Sequence, residues 1–518
     1  MKIHLTEYLD ETVKQVPEKI AVVEQKRKLS FRSLEKQAKG LANILIEKLN
    51  AVINMPVGVF LEKSIESVIA DIGILYSGNA YMNLDIKTPP QRIAGIIQLV
   101  HPAAIITTSK WAGQLPQLPE DVYLIQLDQY DLENETYDAS AIKKHLSSLI
   151  DTDPSCIINT SGSTGVPKGV VLNHKSFFDF TEWAFDTLLN ESSEIIGSLS
   201  PIVFDIYSFE LCMLMAKGST LVVIPETYAA FPAKIMELLE KEKVSFIFWV
   251  PTIMVNIANM GLLECFSLET LRMIWFAGEV FPTKQLNIWR KALSKTCFVN
   301  LYGPIEITLD CTYFVFDRLF QDSEPIPIGF PCRNTDVILL DEEDHLVTDP
   351  LVEGELCVRG TSLAMGYYNN PEKTAAAFVQ NPLNHSYPEL IYRTGDIASY
   401  NERGELMFKG RRDTLIKHSG YRIELGEIEH VIVNVLKLVK NGCAVYNNVQ
   451  KKIVFYYEAD TEISLQEWRR SIGTALPKYM IPTQYIWQEM LPRNTNGKID
   501  RLTLQKQLTE ILGSSREA

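Results

Sequence analysis

Short, continuous apolar runs alternate with amphipathic segments in the middle of the chain, between residues 219 and 304. The runs are STLVVIP, KVSFIFWVP, LRMIWFAGE and TCFVNLYGP, and each ends in turn residues. Between them lie segments with helical periodicity, such as PAKIMELLEKEK and TKQLNIWRKALSK. Apolar strands that alternate with amphipathic helices are typical of a largely parallel sheet covered by helices on both faces. This region is therefore predicted to be α/β.

Three loops of turn-forming and polar residues lie at the ends of predicted strands: TSGSTGVPKG at 160–169, AGE at 277–279 and LYGPIE at 301–306. Ligands of open α/β sheets bind beyond the carboxyl ends of the strands, so we expect the three loops to share one cleft. The first loop combines hydroxyls, small residues and Lys168, which suits a phosphate group. It is not a Walker A loop, because Pro167 stands where that motif needs its second glycine.

The length of the chain, 518 residues, exceeds the size at which one hydrophobic core stops growing, so we expect more than one domain. After Gly354 the pattern changes to β-rich segments such as GELCVRG and LIYRTGDIASY, and a smaller unit of helices and strands follows Asp413. We predict a core domain over residues 1–412 and a C-terminal domain over residues 413–518. The predicted fold class is α/β, with mixed sheets in the core and a small α+β domain after it.

The net charge of −14 argues against sequence-independent binding to nucleic acid, which usually requires a basic face. An acidic protein that binds nucleotide phosphates must gather positive charge locally. The candidates for this charge are Lys168, Arg411, Lys417 and Lys498.

Cysteine usage and hydropathy predict a cytoplasmic protein. The eight cysteines are scattered without a C-x-x-C pair, so we expect free, buried thiols in a reducing compartment. The N-terminal segment lacks the apolar stretch of a secretory signal. The uncharged stretch from Val244 to Leu263 is divided by Pro251 into a strand-like part and a helix-like part, which favours a buried strand and helix over a membrane span.

Six motifs occur in the order TSGSTGVPKG, LYGPIE, YRTGD, GRRD, YRIELGEIE and NTNGKIDR. In this order they resemble the adenylate-forming superfamily, and specifically the amino-acid adenylation domains of nonribosomal peptide synthesis. The likeness runs from SFRSLEKQA at residue 30 to NGKIDR at residue 496. It implies that a large core and a mobile C-terminal lid activate a carboxylate with ATP and Mg²⁺, and then transfer the acyl group to a thiol.

The resemblance also implies roles for individual residues. Thr164 and Lys168 would lie closest to the phosphates, Glu306 would bind Mg²⁺, and Lys498 would bridge the substrate carboxylate and the phosphoryl oxygens. Asp413 matches the hinge of the lid. Tyr302 would stack on adenine and Asp396 would bind the ribose hydroxyls. The nucleotide-binding residues implied in this way are Thr160, Ser161, Gly162, Ser163, Gly165, Gly278, Glu279, Asn300, Tyr302, Gly303, Asp396 and Arg411.

Asp205 occupies the position at which amino-acid-activating members of the superfamily hold the α-amine of the substrate. A buried carboxylate is costly unless it is paired, and a substrate ammonium would pair it. The alternative is that Asp205 caps a helix that begins at Ile206. The other implied pocket residues are mostly bulky and apolar: Ile206, Phe209, Phe248, Trp275, Ala277, Leu301, Leu309 and Asp310.

This pocket is similar to that of free-standing proline-activating enzymes, so L-proline is the expected substrate. Asp310 is the exception in the apolar lining. If Asp310 faces the cavity, an amino acid with a hydroxyl or an amine in its side chain could outcompete proline.

Two segments depart from the pattern of the superfamily. Ile305 stands where a threonine is usual, which removes a hydroxyl near the phosphates. In LIKHSG, residues 415–420, Lys417 and Gly420 are kept, but His418 and Ser419 replace the usual residues between them. The geometry of the thiol-transfer step is therefore less well defined by the sequence than that of adenylation.

The chain lacks a Gly-Gly-x-Ser carrier segment after Lys498, so we expect a monomeric, stand-alone enzyme that loads a separate phosphopantetheine carrier protein. An origin as a piece of a larger synthetase stays open. Two other functions are open as well: a ligase that uses coenzyme A or an amine as acceptor, and a catalytically silent nucleotide-binding regulator. The presence of Glu306, Asp396 and Lys498 counts against the silent regulator.

Overall fold

The computed structural model describes residues 2–160, 167–189, 193–411, 415–459, 461–493 and 499–514. Helices cover the faces of several sheets. The α-helices are α1 (Thr6–Gln15), α2 (Phe31–Lys48), α3 (Ile65–Tyr76), α4 (Pro90–Val100), α5 (Ser109–Ala112), α6 (Ala139–Leu146), α7 (His174–Ala184), α8 (Asp205–Lys217), α9 (Pro232–Lys241), α10 (Pro251–Asn259), α11 (Thr283–Ala292), α12 (Pro371–Ala377), α13 (Leu425–Glu429), α14 (Leu465–Ile472) and α15 (Arg501–Ser514).

The largest sheet has nine strands and contains the apolar runs of the middle of the chain. Its six central strands are parallel, and antiparallel strands close both edges. In spatial order the strands are β15 (Phe330–Pro331), β14 (Thr312–Val315), β13 (Cys297–Tyr302), β12 (Met273–Phe276), β11 (Phe246–Trp249), β9 (Ile195–Ser198), β10 (Thr220–Val223), β1 (Ile20–Glu24) and β2 (Arg27–Ser30).

A second sheet has seven strands: five neighbouring strands pair in parallel, and the two remaining pairings, at one edge, are antiparallel. In spatial order these are β18 (Gly366–Tyr367), β8 (Lys168–Asn173), β7 (Pro154–Thr160), β4 (Ala80–Asn83), β3 (Pro56–Val59), β5 (Ala104–Thr107) and β6 (Tyr123–Gln126). One continuous hydrophobic core joins this sheet to the first, and α2, α3 and α8 contribute many of its buried side chains.

A third, antiparallel sheet carries the β-rich segments that begin near Gly354. Its strands are β16 (Thr335–Leu340), β17 (Glu353–Gly360), β20 (Leu390–Tyr400) and β19 (Phe378–Gln380), with β21 (Leu406–Arg411) paired to β20. The mixed sheets predicted from the sequence are thus confirmed.

The residues after 414 form a smaller body, which we call the C-terminal unit (described residues 415–514). It begins with a hairpin of β22 (Leu415–His418) and β23 (Tyr421–Glu424), and continues into a sheet of β24 (Asn441–Asn447), β25 (Lys452–Glu458) and β26 (Gln484–Trp487). Its two hydrophobic clusters contain residues of this unit alone. In one of them the indole of Trp468 stacks on Tyr485, with 4.4 Å between ring centroids.

The stretch around Pro251 is folded as its sequence predicts. Strand β11 ends at Trp249, and α10 begins at Pro251, where a proline costs no hydrogen bond. Among the residues that the structure describes, no helix combines the length and apolar character needed to cross a bilayer. All eight cysteines lie in the described part of the chain as free thiols, but Cys265 is exposed and Cys297 half-buried, so burial was overpredicted for these two.

Candidate active site

The three predicted ligand loops follow β7, β12 and β13, the last two being parallel neighbours. Thr160 ends β7 and pairs with Lys168 at the start of β8, so the phosphate-type loop closes a hairpin. The hydroxyl of Thr160 and the side-chain amide of Asn159 are buried and have no hydrogen-bond partner within the described parts of the chain. Unpaired buried polar atoms at the base of this loop fit a ligand with hydrogen-bonding groups. Ser161, Gly162, Ser163, Thr164 and Gly165 lie outside the described residues.

A cavity of ≈ 400 Å³ opens between the large sheet, the third sheet and the C-terminal unit. Six residues that the sequence assigns to the nucleotide line this one cavity: Gly278, Glu279, Asn300, Tyr302, Asp396 and Arg411. Gly303, another assigned residue, is required for close packing, because a Cβ atom there would lie 2.3 Å from the Leu309 carbonyl oxygen.

Asp396 links two other residues of the cavity wall, Tyr302 and Arg411. Its Oδ2 accepts a hydrogen bond from the Tyr302 hydroxyl, and its Oδ1 accepts one from Arg411 Nη1. Arg411 Nη2 also donates to the Thr394 carbonyl oxygen at 2.9 Å. Because each carboxylate oxygen can accept a second hydrogen bond, Asp396 still has acceptor capacity for ligand hydroxyls. Asn300 donates instead to the Pro327 carbonyl oxygen at 2.7 Å, and this bond orients its side chain at the cavity wall.

Glu279 has contacts that the sequence did not indicate. Its carboxylate accepts hydrogen bonds from the backbone N–H of Thr252, at 3.1 Å, and from the Thr252 hydroxyl. Its other oxygen accepts the backbone N–H of Gly420 at 2.7 Å. Glu279 therefore links the first turn of α10 to the hairpin of the C-terminal unit, in addition to lining the cavity.

Glu306 lies directly after β13 and is completely buried. Its Oε1 accepts a hydrogen bond from the Tyr367 hydroxyl at 2.8 Å, and its Oε2 is paired with Arg422. The ammonium of Lys168 lies 4.9 Å from the centroid of the Tyr367 ring. Burial opposes ionisation of Glu306, but the charges of Arg422 and Lys168 outweigh it and lower the pKa to about 2. Glu306 is therefore a permanently ionised oxygen donor, which suits a hard cation such as Mg²⁺.

Arg422 and Tyr367 are the residues of this cluster that sequence reasoning missed. Arg422 stands in the motif YRIELGEIE, and Tyr367 in β18 beside β8. The signal for Arg422 was its place in this motif, which carried the family resemblance but was given no residue roles. Ile305, where the chain departs from the superfamily, lines a small cavity of ≈ 70 Å³ together with Thr160 and Arg422.

Asp205 is the first residue of α8, and its Oδ1 accepts the backbone N–H of Ile206 at 3.0 Å. The helix begins one residue earlier than predicted, with Phe204 at the N-cap position, and the carboxylate of Asp205 satisfies one free N–H of the first turn. Burial raises the pKa of Asp205 to about 6, although the Ile206 N–H and the charge of Lys417 oppose the shift. A carboxylate with a raised pKa lacks a full counter-charge.

Three aromatic rings among the predicted pocket residues pack on one another. Phe209 stacks on Trp275 at 5.5 Å between centroids, and Phe248 meets Trp275 edge-on at 5.6 Å. These rings are fully buried, and five further pocket residues are also buried: Ile206, Ala277, Leu301, Leu309 and Asp310. Close packing of this kind fixes the positions of the three rings.

Two residues of the loop between Glu306 and Asp310 have left-handed backbone conformations: Thr308 has φ 54° and Leu309 has φ 67°. Strain of this kind in residues other than glycine concentrates at functional sites. Burial and the nearby charge of Asp205 raise the pKa of Asp310 well above its usual range, while Lys417 opposes the shift. Asp310 is thus close enough to the predicted amine site to interact with it electrostatically.

Lys417 enters the cleft from β22 of the C-terminal unit. Its ammonium lies 5.7 Å from the centroid of the Tyr302 ring. Burial lowers the pKa of Lys417, and the negative charges of Asp396 and Asp310 act in the opposite direction. Lys417 therefore interacts with carboxylates of both the nucleotide side and the substrate side of the cleft.

Four more residues that the sequence singled out belong to the C-terminal part of the chain: His418, Ser419, Lys498 and Asp413. His418 packs against Tyr446, and its Nδ1 lies 3.2 Å from the Tyr446 hydroxyl oxygen. Ser419 lines a cavity of ≈ 270 Å³ together with Phe204 and Val250 of the core. Lys498 and Asp413 lie outside the described residues.

Comparison with known proteins agrees with the motifs. The family profile of AMP-binding enzymes matches residues 9–368. Zwittermicin A synthase ZmaJ of Bacillus cereus is 30% identical over 525 residues, a match that covers 100% of this chain and 96% of that protein. Other matched relatives are much longer proteins, of which the chain spans between 8% and 44%.

Solved structures with the same fold include two adenylation proteins. The Vibrio cholerae adenylation domain AlmE, in complex with glycyl-adenosine-5′-phosphate, has a TM-score of 0.83 at 22% identity, with 98% of each chain covered. Holo-PA1221, an NRPS protein containing adenylation and PCP domains, has a TM-score of 0.82 at 23% identity, with 98% of this chain and 84% of that chain covered. At these identities the likeness concerns the fold, and the predicted fold class is confirmed.

Proposed function

The chain belongs to the family of AMP-binding enzymes, and from that membership we propose that it converts an amino acid and ATP into an aminoacyl-adenylate and then loads it onto a carrier protein. The observation that carries this proposal is the position of Lys417. Its charge interacts with Asp396 in the cavity assigned to the nucleotide and with Asp205 and Asp310 in the pocket assigned to the amino acid. The two sites therefore adjoin, as a reaction between a carboxylate and an α-phosphate requires.

In the first half-reaction an oxygen of the substrate carboxylate forms a bond to the α-phosphorus of ATP, and pyrophosphate leaves. Both reactants are anions, so the protein must position them and neutralise their charge. Asp205 would hold the α-ammonium, Asp396 the ribose hydroxyls, and Lys168 a phosphoryl oxygen. Mg²⁺, when bound at Glu306, would supply further positive charge at the phosphates. We assign to Lys498 the bridging of the carboxylate and phosphoryl oxygens.

For the substrate we propose a small amino acid, with L-proline as the first candidate. The packed rings of Phe209, Phe248 and Trp275 support a compact side chain. The buried carboxyl of Asp310 supports a second candidate, a small amino acid with a hydroxyl or an amine in its side chain, because either group could pair with a buried carboxyl.

For the acceptor we propose the phosphopantetheine thiol of a separate carrier protein. The PA1221 fold neighbour contains adenylation and PCP domains, which supports a carrier. The cavity of ≈ 270 Å³ between Ser419 and Tyr421 of the C-terminal unit and Val250 of the core is a suitable path for the thiol arm, since Phe204, the neighbour of Asp205, is part of its wall. We further propose residues 413–518 as a lid that turns about Asp413, and a monomer in the cytoplasm.

The decisive experiment is ATP–pyrophosphate exchange with each proteinogenic amino acid and ornithine, with and without Mg²⁺. Exchange that requires both Mg²⁺ and an amino acid is expected. Equal exchange with fatty or aryl acids that lack an amine would contradict the role of Asp205. Serine or ornithine ahead of proline would replace the first substrate candidate by the second. Transfer of labelled substrate to carrier protein and to coenzyme A, measured side by side, identifies the acceptor.

A further inference from the structure

The carboxylate assigned to Mg²⁺ is already occupied by protein groups. Tyr367 donates to one oxygen of Glu306, and the guanidinium of Arg422 pairs with the other. Glu306 is fully buried, and the side chain of Arg422 is only 11% exposed. This ion pair is therefore an internal contact of the cleft, and solvent screens it little.

Arg422 belongs to the C-terminal unit, and several contacts dock this part of the unit on the core. The ring of Tyr421 meets the ring of Phe204 of the core at 5.0 Å between centroids, and Tyr479 of the same unit holds Tyr421 by stacking on it at 3.6 Å. A second buried ion pair joins Arg92 of α4 to Glu427 of α13. The guanidinium of Arg422 reaches Glu306 only while the C-terminal unit is docked in this way.

Mg²⁺ and Arg422 cannot both use Glu306. Mg²⁺ binds oxygen at about 2.0–2.1 Å and keeps an octahedral shell that includes water. That shell needs the space beside the carboxylate that the guanidinium now fills. A divalent cation added next to Arg422 and Lys168 would also place three positively charged groups around one carboxylate in a region that is shielded from solvent.

We propose that Arg422 is a built-in competitor of Mg²⁺ for Glu306, so that docking of the C-terminal unit in the present arrangement and binding of the metal exclude each other. The proposal rests on the proposed adenylation function, in which Glu306 is the metal ligand. Arg422 keeps the buried carboxylate neutralised when the metal leaves. The metal must leave before the unit docks, and excess Mg²⁺ must disfavour docking by the same factor by which docking weakens the metal.

The first test measures metal binding to the nucleotide-free protein, with Mn²⁺ as the probe and electron paramagnetic resonance as the readout. Arg422→Gln is expected to bind Mn²⁺ about 5- to 150-fold more tightly than the wild type, the usual range of coupling between two sites. Arg422→Lys, which keeps the charge, is expected to remain near the wild type. Arg359→Gln removes an arginine that pairs with Asp336 and Glu389 at the surface, and it is the matched control without effect.

The second test needs no change at Arg422, so it remains informative if that variant does not fold. A fluorescent donor on the exposed thiol of Cys265 and an acceptor at Val449→Cys, which is 76% exposed in the C-terminal unit, report docking. Mg²⁺ is expected to change the energy transfer in a saturable way. The variant Arg92→Gln, which removes the other buried ion pair, is expected to change it in the same direction without metal.

Two outcomes would overturn the proposal: equal Mn²⁺ affinity of the wild type and Arg422→Gln, or energy transfer that does not respond to Mg²⁺. Tighter Mn²⁺ binding in both Arg422→Gln and Arg422→Lys would also overturn it, because charge would not be the cause. Failure of the adenylation function is recognised separately, as absence of amino-acid-dependent pyrophosphate exchange in the wild type. The two failures are therefore distinguishable.

Discussion

Glu306 and Asp205 are two carboxylates of the same cleft, and the protein shifts their pKa values in opposite directions. Burial acts against ionisation at both. At Glu306 the nearby charges of Arg422 and Lys168 reverse the effect and lower the pKa to about 2. At Asp205 the more modest influence of Lys417 leaves the pKa raised, at about 6. Protein groups compensate the negative charge of Glu306. They compensate that of Asp205 only in part, so Asp205 can pair with a cationic group of a ligand.

The largest effect is expected from removing the paired carboxylate. Glu306→Ala leaves Arg422 buried without its main partner, and breaking a buried pair in this way costs about 3–5 kcal/mol of stability. It also removes Mg²⁺-dependent exchange. Urea unfolding measures the stability. In the Glu306→Ala background, Arg422→Gln should recover part of the loss, and an unchanged midpoint in the single variant would mean that the pair contributes no stability.

Lys498→Ala tests the junction between the two regions, where the substrate carboxylate meets the phosphate. One positioned charge of this kind contributes about 3–4 kcal/mol to the transition state, so exchange should fall on the order of a hundredfold or more. Transfer from preformed aminoacyl-adenylate should be mostly retained. Near-normal exchange by the variant, measured at saturating substrates, would contradict the role assigned to Lys498.

Asp310→Leu tests which amino acids the region around Asp205 prefers. An apolar residue in place of the carboxylate should favour proline over serine and ornithine by about 1–3 kcal/mol, the usual range of discrimination in such pockets. Relative kcat/KM values for the three amino acids, measured by exchange, check this. An unchanged ranking would show that Asp310 does not contact the side chain of the substrate.

The smallest expected effect is a pH dependence that separates the two carboxylates. A raised pKa favours the neutral form, so Asp205 loses its charge as the pH falls below about 6. The KM for the amino acid should therefore rise about fourfold between pH 7 and pH 5.5. Glu306, with its pKa lowered to about 2, remains ionised over this range, and its metal dependence should not change. In Asp205→Asn the pH dependence of KM should disappear.

Local patterns were sufficient for much of the fold. The apolar runs became β10 to β13, and Pro251 separated β11 from α10 as its missing N–H requires. Gly278, Glu279, Asn300 and Tyr302 line one cavity because the carboxyl ends of the adjacent parallel strands β12 and β13 meet at one edge of a sheet. Asp396 and Arg411 reach the same cavity from the antiparallel third sheet. Their individual roles stay predictions.

The contacts between the core and the C-terminal unit could not be predicted from local sequence patterns. Glu306 and Arg422 are 116 residues apart, and Glu279 and Gly420 are 141 apart. No periodicity or local propensity relates positions so distant in the chain. Likewise, Asp310 was left with two possible orientations, because a single acidic residue after a strained loop carries no directional signal.

The sequence by itself determined the alternation of strands and helices, the family and the set of polar residues that the cleft contains, since these depend on local periodicity and on motifs of a few residues. The tertiary structure decided which charges are paired. It placed Arg422 and Lys168 near Glu306, and left Asp205 with weaker compensation. The free energy of a buried charge depends on its distance to other charges in space, and that distance exists only once the chain has folded.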